Sequence, residues 1–101
     1  MRKLQFSAPA LDDLRDIART SEAQWGATQK ARYLDLIAER LGALRELPHL
    51  GVARDEIKPG CRSLKLGQHV AFYRVDDAVI QILRVLHERM DVHLRLGGED
   101  G

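Results

Sequence analysis

The chain has a single cysteine, Cys61, so no disulfide can form within it. It has no excess of either charge, since 16 Lys and Arg stand against 15 Asp and Glu for a formal net charge of +1. A protein that coats nucleic acid by charge alone would be far more basic. It also lacks a long apolar run, and nothing in it approaches the ~20 residues that a bilayer span needs. Two basic residues near the start, Arg2 and Lys3, are not followed by an apolar segment, so no secretory signal is expected. The expected location is cytoplasmic, in a reducing compartment. Repeats and low-complexity stretches are absent as well. At 101 residues the chain reads as one domain over 1–96, followed by a disordered tail at 97–101.

What is present is a strongly patterned chain. Leu4 and Phe6 alternate with Lys3 and Gln5, which predicts a short first strand. Ser7 is a helix N-cap, and Pro9 falls in the first turn, where its missing N–H costs nothing. Leu11, Leu14, Ala18, Ser21 and Trp25 step by three and four, which predicts a helix from Ala8 to Gln24. Gly26 would end it. Leu34, Ile37, Leu41 and Leu44 predict a second helix from Thr28 to Leu47, stopped by Pro48. A very short loop between the two requires an antiparallel hairpin. Residues 49–59 are a connector that should pack through Leu50, Val52 and Ile57.

The rest of the chain is organised around residues 60–91. Gly67-Gln68 and Asp76-Asp77 separate three runs rich in Val, Ile, Phe and Tyr, which predicts an antiparallel three-stranded meander. Alternation places Leu64, Leu66, Ala71, Tyr73, Val75, Ile80 and Ile82 on the face that meets the helices. Ser63, Lys65, Val70, Phe72, Arg74, Val79, Gln81 and Leu83 take the other face. The expected fold is therefore α+β: an N-terminal strand, a two-helix hairpin, then the meander.

At this point the residues resemble a known family. Leu11-Asp12-Asp13-Leu14-Arg15-Asp16-Ile17, Trp25-Gly26, Leu47-Pro48-His49-Leu50-Gly51 and Asp55 to Arg62 follow the order of the ParE toxins of the RelE/ParE superfamily. Gly67 to Val75 and Leu83 to Asp91 follow it most closely. Cys61 departs from the pattern, which leads one to expect an aromatic or aliphatic residue there. The resemblance implies two antiparallel helices on an antiparallel sheet. It implies a partner, a ParD-like antitoxin whose tail wraps the toxin, and a target, DNA gyrase, which the family poisons so that cleaved DNA accumulates. No cofactor, metal or membrane partner is expected.

Within that frame, Arg62, Arg74, Arg84, His87, Glu88, Arg89, Met90 and Asp91 are the candidates for toxicity and target binding. Deletion after Leu86 is expected to abolish toxicity and spare antitoxin binding. Leu4, Phe6, Ala10, Leu14 and Trp25 are the candidates for the antitoxin surface. The plainer alternative is that strands carry Arg and Lys on an open face, that Arg84 is an internal ion-pair member, and that His87 is a hydrogen-bonded structural residue. No catalytic set is assigned. A RelE-like ribonuclease reading would use His87 as acid or base and Arg62, Arg84 or Arg89 on phosphate. A third reading is a non-toxic interaction module of the same fold. His49, His69, His87 and His93 show no metal-ligand spacing.

Overall fold

The computed structural model describes residues 1–90 and 92–96. The elements run β1 (Lys3–Phe6), α1 (Ala8–Ala43), β2 (Val52–Ala53), β3 (Cys61–Leu66), β4 (His69–Val75), β5 (Val79–His87) and α2 (Val92–Arg95). The expected architecture is corrected on two counts. The helical region is one element of 36 residues, not two helices joined by a loop. The strands form one five-stranded mixed sheet in the order β1-β5-β4-β3-β2, not a lone strand beside a three-stranded meander.

The helix begins where Ser7 predicts. Ser7 Oγ accepts from Ala10 N–H at 3.0 Å and donates to Leu83 C=O at 2.7 Å. One side chain thus caps the helix and ties it to the sheet. A straight helix of this length would run about 54 Å, yet the molecule is only 38 Å along its longest axis. The difference is made at Gly26, whose φ of 85° and ψ of 170° leave helical geometry. Only glycine enters that region without a Cβ penalty. The two arms bend back there, and a Lys30–Glu22 ion pair of 2.8 Å spans the bend. The helix ends at Ala43 with Leu44 as its C-cap, so the expected extension to Leu47 is not made.

The sheet explains the rest. β1 lies parallel to β5, with Lys3 opposite Val79 and Phe6 opposite Ile82. β3, β4 and β5 pair antiparallel as expected, and Val52–Ala53 adds to β3 inside what read as connector. Gly67-Gln68 is a true two-residue turn, whereas the turn after Val75 takes three residues, Asp76 to Ala78. The pairing shifts within β5: Phe72 faces Arg84 but Tyr73 faces Ile82, so Leu83 has no opposite residue. This bulge moves Val85, in place of Arg84, into the helix-facing core.

The main core joins Ile17, Ile37 and Leu41 of α1 to Leu64, Leu66, Ala71, Tyr73, Ile80, Ile82 and Val85. Burying each such large side chain stabilises by about 1.5–3 kcal/mol. The far face of the sheet is covered too. Ile57, Cys61, Phe72, Leu86 and Leu96 form a second small core, with Val70, Leu83 and Val92 against it. Of the connector residues expected to pack, only Ile57 does so, while Leu50 and Val52 are exposed. Asp91 and the expected tail at 97–101 lie outside the described residues.

Candidate functional site: the rim at the end of β5 and the groove between the helix arms

The eight residues expected to form one target-binding surface are dispersed by the fold. Arg84 is taken up by the first helix arm. Its Nε and Nη2 each donate to the Asp13 carboxylate at 2.8 Å, and Val85 N–H donates to the same carboxylate at 2.9 Å. Arg62 turns its guanidinium onto backbone, donating to Gly51 C=O at 2.8 Å and His49 C=O at 3.3 Å. Arg74 is exposed but sits opposite Gln81 and Cys61. It lies five residues along β4 from His69, or about 17 Å from the β5 end.

His87, Glu88, Arg89 and Met90 remain together. His87 ends β5, and the next three residues are exposed. The segment is held rather than loose. Glu88 N–H donates to Gln68 C=O at 2.9 Å, and Met90 N–H donates to His87 C=O at 2.9 Å. Arg89 N–H donates to His87 Nδ1 at 3.1 Å, which fixes the proton of a neutral His87 on Nε2. Lys65 Nζ meets the Glu88 carboxylate at 3.3 Å. Asp91 falls outside the described residues, as does the side chain of His93.

Between this rim and the first helix arm lies a cleft of about 530 Å³, walled by Thr20, Ser21, Gln24 and Trp25 on one side and by His69, His87 and Met90 on the other. A string of rings runs alongside it, and three of them, Trp25, His69 and His87, line the cleft. Trp25 meets Tyr33 edge-on at 6.1 Å, Tyr33 meets His69 at 5.6 Å, and His69 meets His87 edge-on at 5.2 Å. Burial, then the neighbouring His87, pushes the His69 imidazole below its ordinary value, which favours its neutral form. Burial likewise pushes the Tyr33 hydroxyl up. Tyr33 and His69 were not picked out from the sequence. Their signal was weak: a tyrosine beside a helical stripe and a histidine just after a Gly-containing turn.

A second concavity of about 380 Å³ opens between the helix arms. Phe6, Leu11, Leu14, Ala18, Leu34 and Leu41 are among its walls, with Arg15 at the rim. Two of the expected antitoxin residues, Phe6 and Leu14, line it, and Leu4 packs nearby against the core. Ala10 is 0% exposed and presents nothing to a partner. Trp25 is 43% exposed but belongs to the cleft beside the rim. Leu11, Leu34 and Leu41 were missed as groove residues because the bend at Gly26 brings them together.

Cys61 is buried in the second core, and burial pushes its thiol up, away from the reactive thiolate. Among the described residues no three His, Cys, Asp or Glu side chains are grouped to hold a metal ion. No helix among them is long and apolar enough to cross a membrane.

The chain is thus a bent helical element on a mixed sheet, with a charged rim at the end of the last strand. Residues 4–92 match the family model described as ParE toxin of type II toxin–antitoxin system, parDE, and the chain belongs to that ParE toxin family. It is 38% identical over 92 residues to Toxin ParE1 of Mycobacterium tuberculosis, covering 90% of this chain and 94% of that one. It is 36% identical over 97 residues to Toxin ParE1 of Caulobacter vibrioides, covering 96% and 100%. Among solved structures, the chromosomal ParDE TA system from P. aeruginosa aligns with a TM-score of 0.75 at 28% identity, over 86% of this chain and 96% of that one.

Proposed function

We propose that this protein is a gyrase-directed toxin: it binds DNA gyrase through the rim His87–Met90 and traps cleaved DNA, and a ParD-like antitoxin holds it inactive. The observation that carries the reading is the rim itself. The side chains of His87, Glu88, Arg89 and Met90 stand at one end of the sheet, and the backbone bonds to Gln68 and within the turn hold them in place. A rigid, charged, solvent-facing segment suits recognition of a protein surface.

The same geometry supports binding over catalysis. Cleaving a phosphodiester needs a base, an acid and cations at one phosphate. Here Arg62 and Arg84 are engaged by their own chain, and Arg74 lies at the other end of β4. His69 is held by Tyr33.

The antitoxin fits the groove between the helix arms. The groove is apolar, and Leu11 at its edge is 40% exposed. β1 is an edge strand, so a partner can lay a helix into the groove or add a strand beside Leu4 and Phe6.

The test is a gyrase assay with purified protein, scoring supercoiling and trapped cleaved DNA with and without antitoxin. The expected result is cleaved DNA that disappears when antitoxin is added. Inert gyrase together with cleavage of ribosome-bound mRNA would overturn the reading in favour of a ribonuclease.

A further inference from the structure

The Tyr33 hydroxyl stands at a junction of three groups. It lies 2.9 Å from Leu66 C=O, 3.0 Å from Gln68 N and 2.6 Å from His69 Nδ1. A hydroxyl has one proton to give and two lone pairs to accept with. The carbonyl can only accept and the amide can only donate. The assignment that satisfies all three has Tyr33 donating to Leu66 and accepting from Gln68 N–H and from His69 Nδ1–H. His69 is thereby fixed with its proton on Nδ1.

These contacts bracket the β3–β4 turn from Leu66 to His69. The ring presses on the turn as well, since a Cβ on Gly67 would stand 2.8 Å from the Tyr33 ring. The turn in turn holds the rim. Gln68 C=O accepts from Glu88 N–H, and the His69 ring meets the His87 ring edge-on at 5.2 Å. A single side chain on the second helix arm is therefore connected to the end of β5 by two routes, one through backbone and one through rings.

We propose that Tyr33 is a positioning residue for the rim: by locking the turn and the Nδ1-protonated form of His69, it sets where His87, Glu88, Arg89 and Met90 stand. Its importance for target binding rests on the gyrase reading above. The coupling between Tyr33 and the rim does not.

The test compares Tyr33→Phe, His69→Asn and His69→Gln with the unsubstituted protein. Phe keeps the ring against Trp25 and Gly67 and removes only the hydroxyl. Asn places an amide nitrogen near the position of Nδ1, and Gln places it near Nε2. Nitrogen–proton NMR reads the His69 proton directly, and hydrogen exchange reads the Glu88 amide. In the unsubstituted protein the His69 proton is on Nδ1. In Tyr33→Phe it redistributes toward Nε2, and Glu88 exchange rises about fivefold, as expected for one weakened hydrogen bond. His69→Asn preserves the Glu88 protection and His69→Gln loses it. Trapping of cleaved DNA falls in Tyr33→Phe and His69→Gln, with antitoxin affinity unchanged.

Unchanged Glu88 exchange in folded Tyr33→Phe, or in His69→Gln should the first variant not fold, overturns the coupling. A His69 proton on Nε2 in the unsubstituted protein overturns it too. If Glu88 exchange rises but DNA trapping is intact, Tyr33 does not position the rim for the target. If the unsubstituted protein leaves gyrase untouched, the gyrase reading falls, and the exchange data still decide the coupling.

Discussion

Asp13 and Arg84 are 71 positions apart in the chain, and two 2.8 Å bonds join them at a place where their side chains are only 12% and 16% exposed. The same carboxylate closes the open edge of β5 by taking the Val85 N–H. The pair therefore fastens the first helix arm to the last strand just where β1 has run out. Asp13→Ala should lower stability by about 1–3 kcal/mol, because it removes two charge-assisted bonds to a largely buried guanidinium and the acceptor of Val85 N–H. Urea unfolding of the variant checks this. Arg84→Ala should behave alike, losing toxicity through the fold rather than through the target surface.

Substitution within the rim should have the opposite signature. Arg89→Ala and Met90→Ala alter exposed side chains, and such changes usually cost less than about 0.5 kcal/mol. Trapping of cleaved DNA by gyrase should nonetheless fall at least about tenfold if these are central contacts. Antitoxin affinity, measured by calorimetry, should stay the same. Deleting everything after Leu86 is a poorer test than the sequence suggested. Leu96 and Val92 belong to the second core, so truncation would damage packing along with the rim.

The groove between the helix arms makes a separate prediction. Leu11→Glu places a charge at a half-open apolar wall while leaving the buried core untouched. Antitoxin binding should weaken by about 1–3 kcal/mol, with gyrase trapping by the free toxin retained. Titration of toxin with antitoxin, followed by the gyrase assay, separates the two surfaces.

Acid should loosen the molecule through His69. Burial, then the neighbouring His87, holds its imidazole below the ordinary value of 6.5, while Glu88 and Asp13 oppose this weakly. Below pH 6.5 the unfolded chain takes up a proton that the folded chain refuses. This contribution to stability is thus fully present above 6.5 and is lost as pH falls through the lowered folded value. Denaturant midpoints between about pH 7.5 and about pH 5 should show the loss, and His69→Asn should flatten it.

Gly51 should tolerate no side chain. A Cβ there would stand 2.5 Å from Ser63 C=O and 2.7 Å from the Tyr73 hydroxyl. That hydroxyl donates to Pro48 C=O and accepts from Gly51 N–H, each at 2.9 Å. Gly51→Ala should cost about 1–3 kcal/mol by overpacking, read as a lowered thermal midpoint.

Local rules carried the sequence reading a good distance. Leu64, Leu66, Ala71, Tyr73, Ile80 and Ile82 do share the helix-facing core, because a two-residue turn at Gly67-Gln68 preserves alternation between β3 and β4. Ser7 and the antiparallel pairing of β3, β4 and β5 were legible for the same reason, since each depends on a few neighbouring residues, whereas Gly26 was expected to end a helix and instead bends one helical element. What escaped depends on distant partners. Nothing in Lys3 to Phe6 says that the strand will lie parallel to β5. Val52–Ala53 is too short to show a period. The bulge at Leu83 needs the whole sheet to be drawn before it appears. The site followed the same division: the rim is one contiguous run, and an internal ion pair for Arg84 was among the readings, but its partner Asp13, like the Gly51 carbonyl that holds Arg62, lies in a separate part of the chain.

The parallel pairing of β1 with β5 bears on how the molecule is made. Residues 3–6 leave the ribosome well before their partners, residues 79–82. Through most of synthesis the opening strand has no neighbour to bond. Closing a loop of this size is slow compared with forming a hairpin. The helix arms and the hairpin around Gly67 can assemble early, but the sheet is complete only after residues 79–82 have emerged. A protein built this way acquires its finished surface only once residues 79–82 are available to pair with β1.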